Sequence, residues 1–142
     1  MKVSHNFELQ EFVDPIIYRM RGDKSIELLD PKIIQIAEFI RGHFGAPVII
    51  NNWHNNGQYS ESGLRRFDCC TGAKYSQHKY GRAIDVKIKG VTDYEEIRNE
   101  IRKNFALFRL VGLTTIERGT PTWLHCDCRL VENDLLNEVP FK

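Results

Sequence analysis

The sequence predicts an α+β domain in which two main helices pack on an antiparallel sheet, and three observations carry that expectation. Apolar residues recur at helical spacing after Asp30-Pro31 and again from Tyr94 to Phe105. From Ile84 to Lys89 apolar and polar residues alternate strictly, the period-2 pattern of a half-buried strand. Thr114–Glu117 and Thr122–Arg129 flank Arg118-Gly119-Thr120-Pro121, which reads as a β-hairpin with a glycine-containing turn. The chain has 142 residues, 42% hydrophobic and 27% charged, enough for one packed core. Residues 1–142 are therefore expected to form a single domain.

Taken in order, Phe7, Leu9 and Phe12 stand among Glu8, Gln10 and Glu11 as a short docking segment for the N-terminus. Asp30 suits a helix N-cap and Pro31 the first helical position. Ile33, Ile34, Ala37, Ile40 and Phe44 form the expected core stripe, and Gly42, Gly45 and Pro47 close the helix. Val48-Ile49-Ile50 is a buried strand, followed by a polar loop rich in Asn, Gly and Ser up to Gly63. In a compact domain such a loop is commonly either functional or disordered. Thr92 followed by Glu95 has the capping-box spacing and opens the second helix, with Tyr94, Ile97, Ile101 and Phe105 inward. Leu107–Leu113 turns into the sheet, and Leu130–Lys142 is mixed and is assigned no chemistry.

Composition narrows the function classes. The net charge is +1 and the basic residues are scattered, which argues against nucleic acid as a partner. No apolar run reaches the length of about 20 residues that a membrane span needs. Met1–Gln10 lacks the apolar stretch of a secretory signal, so synthesis in the cytoplasm is expected. The protein is expected to be a monomer. The cysteines are Cys69-Cys70 and Cys126-x-Cys128, neither with zinc-knuckle spacing, so free thiols are expected.

The chemistry concentrates in Ser76-Gln77-His78-Lys79-Tyr80-Gly81-Arg82-Ala83-Ile84-Asp85. Asp85 lies at the head of a strand and His78 on the loop that enters it. Gly81 allows that loop to fold back. An imidazole and a carboxylate are then close, a nitrogen and oxygen pair that Zn²⁺ accepts in one site. In Thr122–Arg129 the strand period puts Trp123, His125 and Asp127 on one face and Leu124, Cys126 and Cys128 on the other. His125 becomes a third metal ligand if the two strands are neighbours. Three protein ligands with one position left open is the arrangement of catalytic zinc.

These residues carry a resemblance. S-x-H-x-x-G-x-A-x-D, followed at a distance by W-x-H, resembles the zinc DD-peptidases, the D-Ala-D-Ala carboxypeptidase and L-Ala-D-Glu endopeptidase group that shares the hedgehog fold. The run G-A-x-x-S-Q-H from Gly72 is similar to small phage and prophage versions. The resemblance covers roughly residues 5 to 130. It implies Zn²⁺ held by His78, Asp85 and His125, and a peptidoglycan stem peptide as substrate. It implies substrate contacts from Ser76 and from Arg65, within Ser62-Gly63-Leu64-Arg65. A guanidinium there can grip a peptide carboxylate or carbonyl with two bonds. The bland reading of Arg65 is a surface arginine, and Arg66 is its rival; His54 is either a further wall residue or a plain surface histidine.

Hydrolysis also needs a carboxylate to carry a proton from the attacking water to the leaving amine. Many members of the group place Glu or Asp three residues before the last histidine, where this chain has Thr122. Glu117, across the hairpin, is the expected replacement, as the hedgehog branch also places its glutamate further upstream. Asp127 is the alternative, with a milder reading as a group that orients an imidazole or arginine. The expected activity is thus a zinc metallopeptidase acting on peptidoglycan. The alternative is a zinc-bound, non-hydrolytic phage structural or cell-wall-binding protein.

Overall fold

The computed structural model describes residues 1–142. Its organising element is a five-stranded sheet of strand order β1-β2-β4-β3-β5. The strands are β1 (Val48–Ile49), β2 (Ala83–Ile88), β3 (Thr115–Arg118), β4 (Leu124–Asp127) and β5 (Asn137–Pro140). The first four pair antiparallel; β5 joins β3 in parallel, which makes the sheet mixed. The tail carries no chemical motif, yet it supplies this edge strand.

The expected alternation in β2 is realised. Ile84, Val86 and Ile88 are buried in the apolar core, and Asp85 and Lys87 project to the opposite face. In β4, Leu124 and Cys126 enter that core with Cys128 beyond them. All four cysteines are free thiols. Burial pushes the Cys126 thiol well above its usual range, so it behaves as a small apolar side chain.

The helices are α1 (Pro15–Arg21), α2 (Pro31–Phe44), α3 (Tyr94–Lys103) and α4 (Phe105–Leu110). In α2, Asp30 accepts from the Lys32 amide and Gly45 ends the helix in the left-handed conformation. Its buried stripe is Ile33, Ile36, Ala37 and Ile40, so Ile36 replaces the expected Ile34, which is only half-buried. The α3 cap is Asp93, whose carboxylate accepts from the Glu95 amide, and not the expected Thr92. Helices α1 and α4 have weak sequence signals. Helix α1 buries none of its residues fully, so it lacks a deep apolar stripe, although Asp14-Pro15 repeats the start signal of Asp30-Pro31. The short α4 occupies part of the segment expected to turn directly into the sheet.

The N-terminal segment does more than seat itself. Phe7, Leu9 and Phe12 are buried, and the Phe12 carbonyl accepts from the Leu64 amide while the Asp14 amide donates to the Leu64 carbonyl. These bonds hold the 62–65 segment beside β2. The Asp85 amide then donates to the Ser62 carbonyl at 2.8 Å, and the Arg65 amide to the His78 carbonyl at 3.0 Å. The loop between β1 and β2 is therefore fixed at both its edges.

Candidate metal centre

His78 sits in a 3₁₀ turn, Gln77–Tyr80, immediately before β2. The Ser76 hydroxyl accepts the His78 amide at 3.3 Å and starts the turn; Gly81 ends it at φ 69°. Asp85 on β2 and His125 on β4 are directly opposite across the antiparallel ladder. Local sequence thus delivers His78 to the sheet edge, and strand pairing delivers His125 to Asp85.

The three side chains converge. His78 Nε2 lies 3.3 Å from Asp85 Oδ1, and His125 Nδ1 lies 2.9 Å from the same oxygen. All three candidate ligand atoms fall within 4.8 Å of one another. Ligands bound tetrahedrally at about 2.0–2.2 Å stand roughly 3.3–3.6 Å apart, so the observed separations bracket the spacing one divalent cation needs, and small side-chain shifts would bring the three atoms onto it.

The remaining ring nitrogens are engaged elsewhere, which fixes each tautomer for metal binding. His78 Nδ1 donates to the Gly63 carbonyl at 2.9 Å. His125 Nε2 donates to Asp127 Oδ2 at 2.8 Å. Asp127 is fully buried and also accepts from Arg129, through Nε at 2.9 Å and Nη2 at 2.5 Å. A carboxylate anchored in this way orients the imidazole and raises its basicity. It also stands behind the ring, on the side away from Asp85.

Glu117 stands on the other side. Ile116 pairs with Cys126, which brings Glu117 alongside His125 on the same face of the sheet. Its Oε1 lies 3.7 Å from His125 Nδ1, the nitrogen that faces Asp85. Thr122 lines the neighbouring groove and carries no acid.

Electrostatics follow from the geometry. Burial opposes charge on Asp85, but His78 and His125 overcome it and hold the carboxyl far below the usual range. Burial also works against a charged His125, yet hydrogen bonds to Asp127 and Asp85 push it up to about 10. Asp127 is held low against its own burial by Arg129 and His125. The site is a nest of anionic oxygen that stabilises positive charge between His78, Asp85 and His125.

A polar groove of about 380 Å³ opens beside Asp85, lined among others by Tyr59, Glu61, Arg65, Lys87 and Trp123. Arg65 is buried and ties the loop to the site: Nε donates to the Glu61 carbonyl at 2.6 Å, Nη1 to the Thr71 carbonyl at 3.4 Å and Nη2 to Asp85 Oδ2 at 3.3 Å. Arg66 turns away, with Asp14 and Asp68 as its partners. His54 lies beside Trp53 and Asn55, and neither His54 nor Ser76 lines the groove. A larger apolar depression of about 430 Å³, with Met20, Leu28, Phe67 and Tyr80 in its wall, contains no His, Cys, Asp or Glu.

Three contributors went unnoticed in the sequence. Arg129 and Lys87 were within reach of the strand period, two residues beyond Asp127 and Asp85 on the same faces. The Gly63 carbonyl left no side-chain signal at all. Among curated proteins and among solved structures there is no significant match to the chain. The family model for peptidase M15 matches residues 7–127, a span that includes every ligand just described together with Glu117 and Asp127. With most of its length matched and a His-Asp-His cluster formed at its centre, the chain belongs to the peptidase M15 family, whose members are metallopeptidases.

Proposed function

We propose that this protein is a zinc-dependent peptidase that hydrolyses peptide bonds in the stem peptides of peptidoglycan. The observation that carries the reading is a carboxylate, Glu117, poised 3.7 Å from the metal-facing nitrogen of His125. His78, Asp85 and His125 would hold the ion, since two imidazole nitrogens and one carboxylate oxygen form a donor set suited to zinc. Zinc in such a site supplies Lewis-acid polarisation of the scissile carbonyl and lowers the pKa of water.

The chain's own groups supply the rest. Glu117 takes a proton from the attacking water and delivers it to the leaving amine. Asp127 keeps His125 in one tautomer and is turned away from the reacting side, so we assign it to positioning and not to proton transfer. Arg65 faces the groove beside Asp85, and its long bonds to Asp85 and Thr71 leave the fork free to exchange partners with a substrate carbonyl. Ser76 positions His78 through the turn it caps. The resemblance of Gly72–Asp85 to phage and prophage versions supports a phage-borne setting, with access to the cell wall after release or within a particle.

The test is hydrolysis of purified peptidoglycan by zinc-loaded protein, read as new amino termini. Glu117→Gln is expected to keep its zinc and thermal stability and to lose on the order of 10²–10⁴ in rate. If Glu117→Gln stays active while Asp127→Asn is inactive with full zinc occupancy, the two roles are exchanged. A zinc-loaded parent that cleaves no peptidoglycan from any source would replace this reading with the non-hydrolytic, cell-wall-binding one.

A further inference from the structure

Lys87 is the second outward residue of β2, one pleat beyond Asp85, and its side chain lines the same groove. Its ammonium is held in place by neutral oxygens: it donates to the Ile50 carbonyl at 2.9 Å and to Ser62 Oγ at 2.8 Å. The third acceptor, the Asp85 carbonyl, is long at 3.4 Å. The Tyr59 ring covers one side at 4.0 Å from its centroid. No carboxylate lies within ion-pair distance of it, whereas Arg65 is paired with Asp85. The acid opposite in the groove, Glu61, is turned to Thr71 Oγ1 at 2.5 Å and to the Cys69 thiol. A partly buried cation with one weakly used donor and no carboxylate in ion-pair contact, Asp85 acting on it only from longer range, is fixed on a rigid strand and suited to receiving an anion from outside.

Resting on the peptidase reading above, we propose that Lys87 anchors a free carboxylate of the substrate and thereby selects stem peptides that carry one close to the scissile bond. The strand sets the distance. Neighbouring same-face positions on a strand are about 7 Å apart, roughly two residues of extended peptide. A carboxylate on Lys87 therefore lies within one or two residues of a carbonyl held beside Asp85. Arg65 and Lys87 then have separate tasks: the guanidinium meets the scissile carbonyl, and the ammonium meets the charge that marks the correct peptide. A rigid ammonium anchor discriminates carboxylate from carboxamide because the neutral group leaves the buried charge uncompensated.

The test uses full-length zinc-loaded protein and synthetic stem peptides in which each free carboxylate is amidated in turn, with binding measured by calorimetry and turnover measured in parallel. One amidated peptide is expected to bind about tenfold or more weakly than its free acid, the scale of a lost charge-assisted hydrogen bond. In Lys87→Met that preference should vanish, with KM raised more than kcat is lowered and with zinc content unchanged. Lys87→Arg, which keeps the charge, should retain most of the preference even if Lys87→Met folds poorly. Equal binding of every amide and acid by the parent, or an unchanged preference in folded Lys87→Met, overturns the proposal. Binding without turnover would fail the peptidase reading but leave the carboxylate anchor standing, so the two are separable.

Discussion

At the scale of residues, the candidate metal centre is organised so that each imidazole has one nitrogen committed to the protein and one turned toward Asp85. For His78 the commitment is the Gly63 carbonyl, and for His125 it is Asp127. The second is the stronger constraint, since a buried carboxylate clamped by Arg129 both orients the ring and enriches its electron density. Asp127→Asn removes the charge and keeps the size. It is expected to weaken metal binding by roughly 10- to 100-fold, measured by competition with a chelating dye, while Glu117→Gln binds metal like the parent. Parent-like affinity in Asp127→Asn would mean that the hydrogen bond does not tune His125.

At the scale of elements, the 3₁₀ turn that carries His78 depends on a residue with no side chain. Gly81 has φ 69°, and a Cβ built there would stand 2.0 Å from the Leu28 carbonyl oxygen. The turn therefore packs its end directly on the backbone just before α2, and the Asp30 amide donates to the Gly81 carbonyl at 2.9 Å. Gly81→Ala incurs both the left-handed backbone penalty and the overlap. A loss on the order of 1–3 kcal/mol is expected from strain of this kind, measured by denaturant unfolding of metal-free protein. Metal affinity should fall with it, because the shift moves His78. A substitution at Gly90, which also has positive φ but open space around it, should cost less.

At the scale of the whole molecule, the three candidate ligands lie on the turn after the long loop, a central strand and its neighbour. A cation that binds only the folded chain stabilises it by mass action, by about 2.7 kcal/mol at free metal 100-fold above Kd. For a chain of this size that corresponds to roughly 5–11 °C in Tm. Chelation is expected to lower Tm by about that amount, and readdition of zinc to restore it. His78→Ala combined with His125→Ala should show no zinc-dependent shift; a shift that survives would place the metal elsewhere. Cys126→Ser should retain the shift, because that side chain points into the apolar core.

The sequence by itself determined which residues gather as candidate ligands, the strand that presents Asp85, and the face on which His125 and Asp127 would stand. These are local properties, since a ten-residue motif and a period of two are complete within one segment. It also exposed the α2 start at Asp30-Pro31, where cap and proline act on adjacent backbone. Only the tertiary structure decided that Asp127 lies behind His125 while Glu117 lies before it, because that depends on which nitrogen of one ring faces a strand 40 residues away. It decided that Gly63 sets the His78 tautomer through a carbonyl, a contact carried by backbone and so silent in side-chain pattern. It decided the parallel β5, whose half-buried residues lack alternation strong enough to be read, and the weakly buried α1. And it decided that Lys87, one more polar residue in an alternating strand, ends in the groove without a carboxylate in ion-pair contact, since charge compensation is settled by neighbours brought from Ile50, Tyr59 and Ser62.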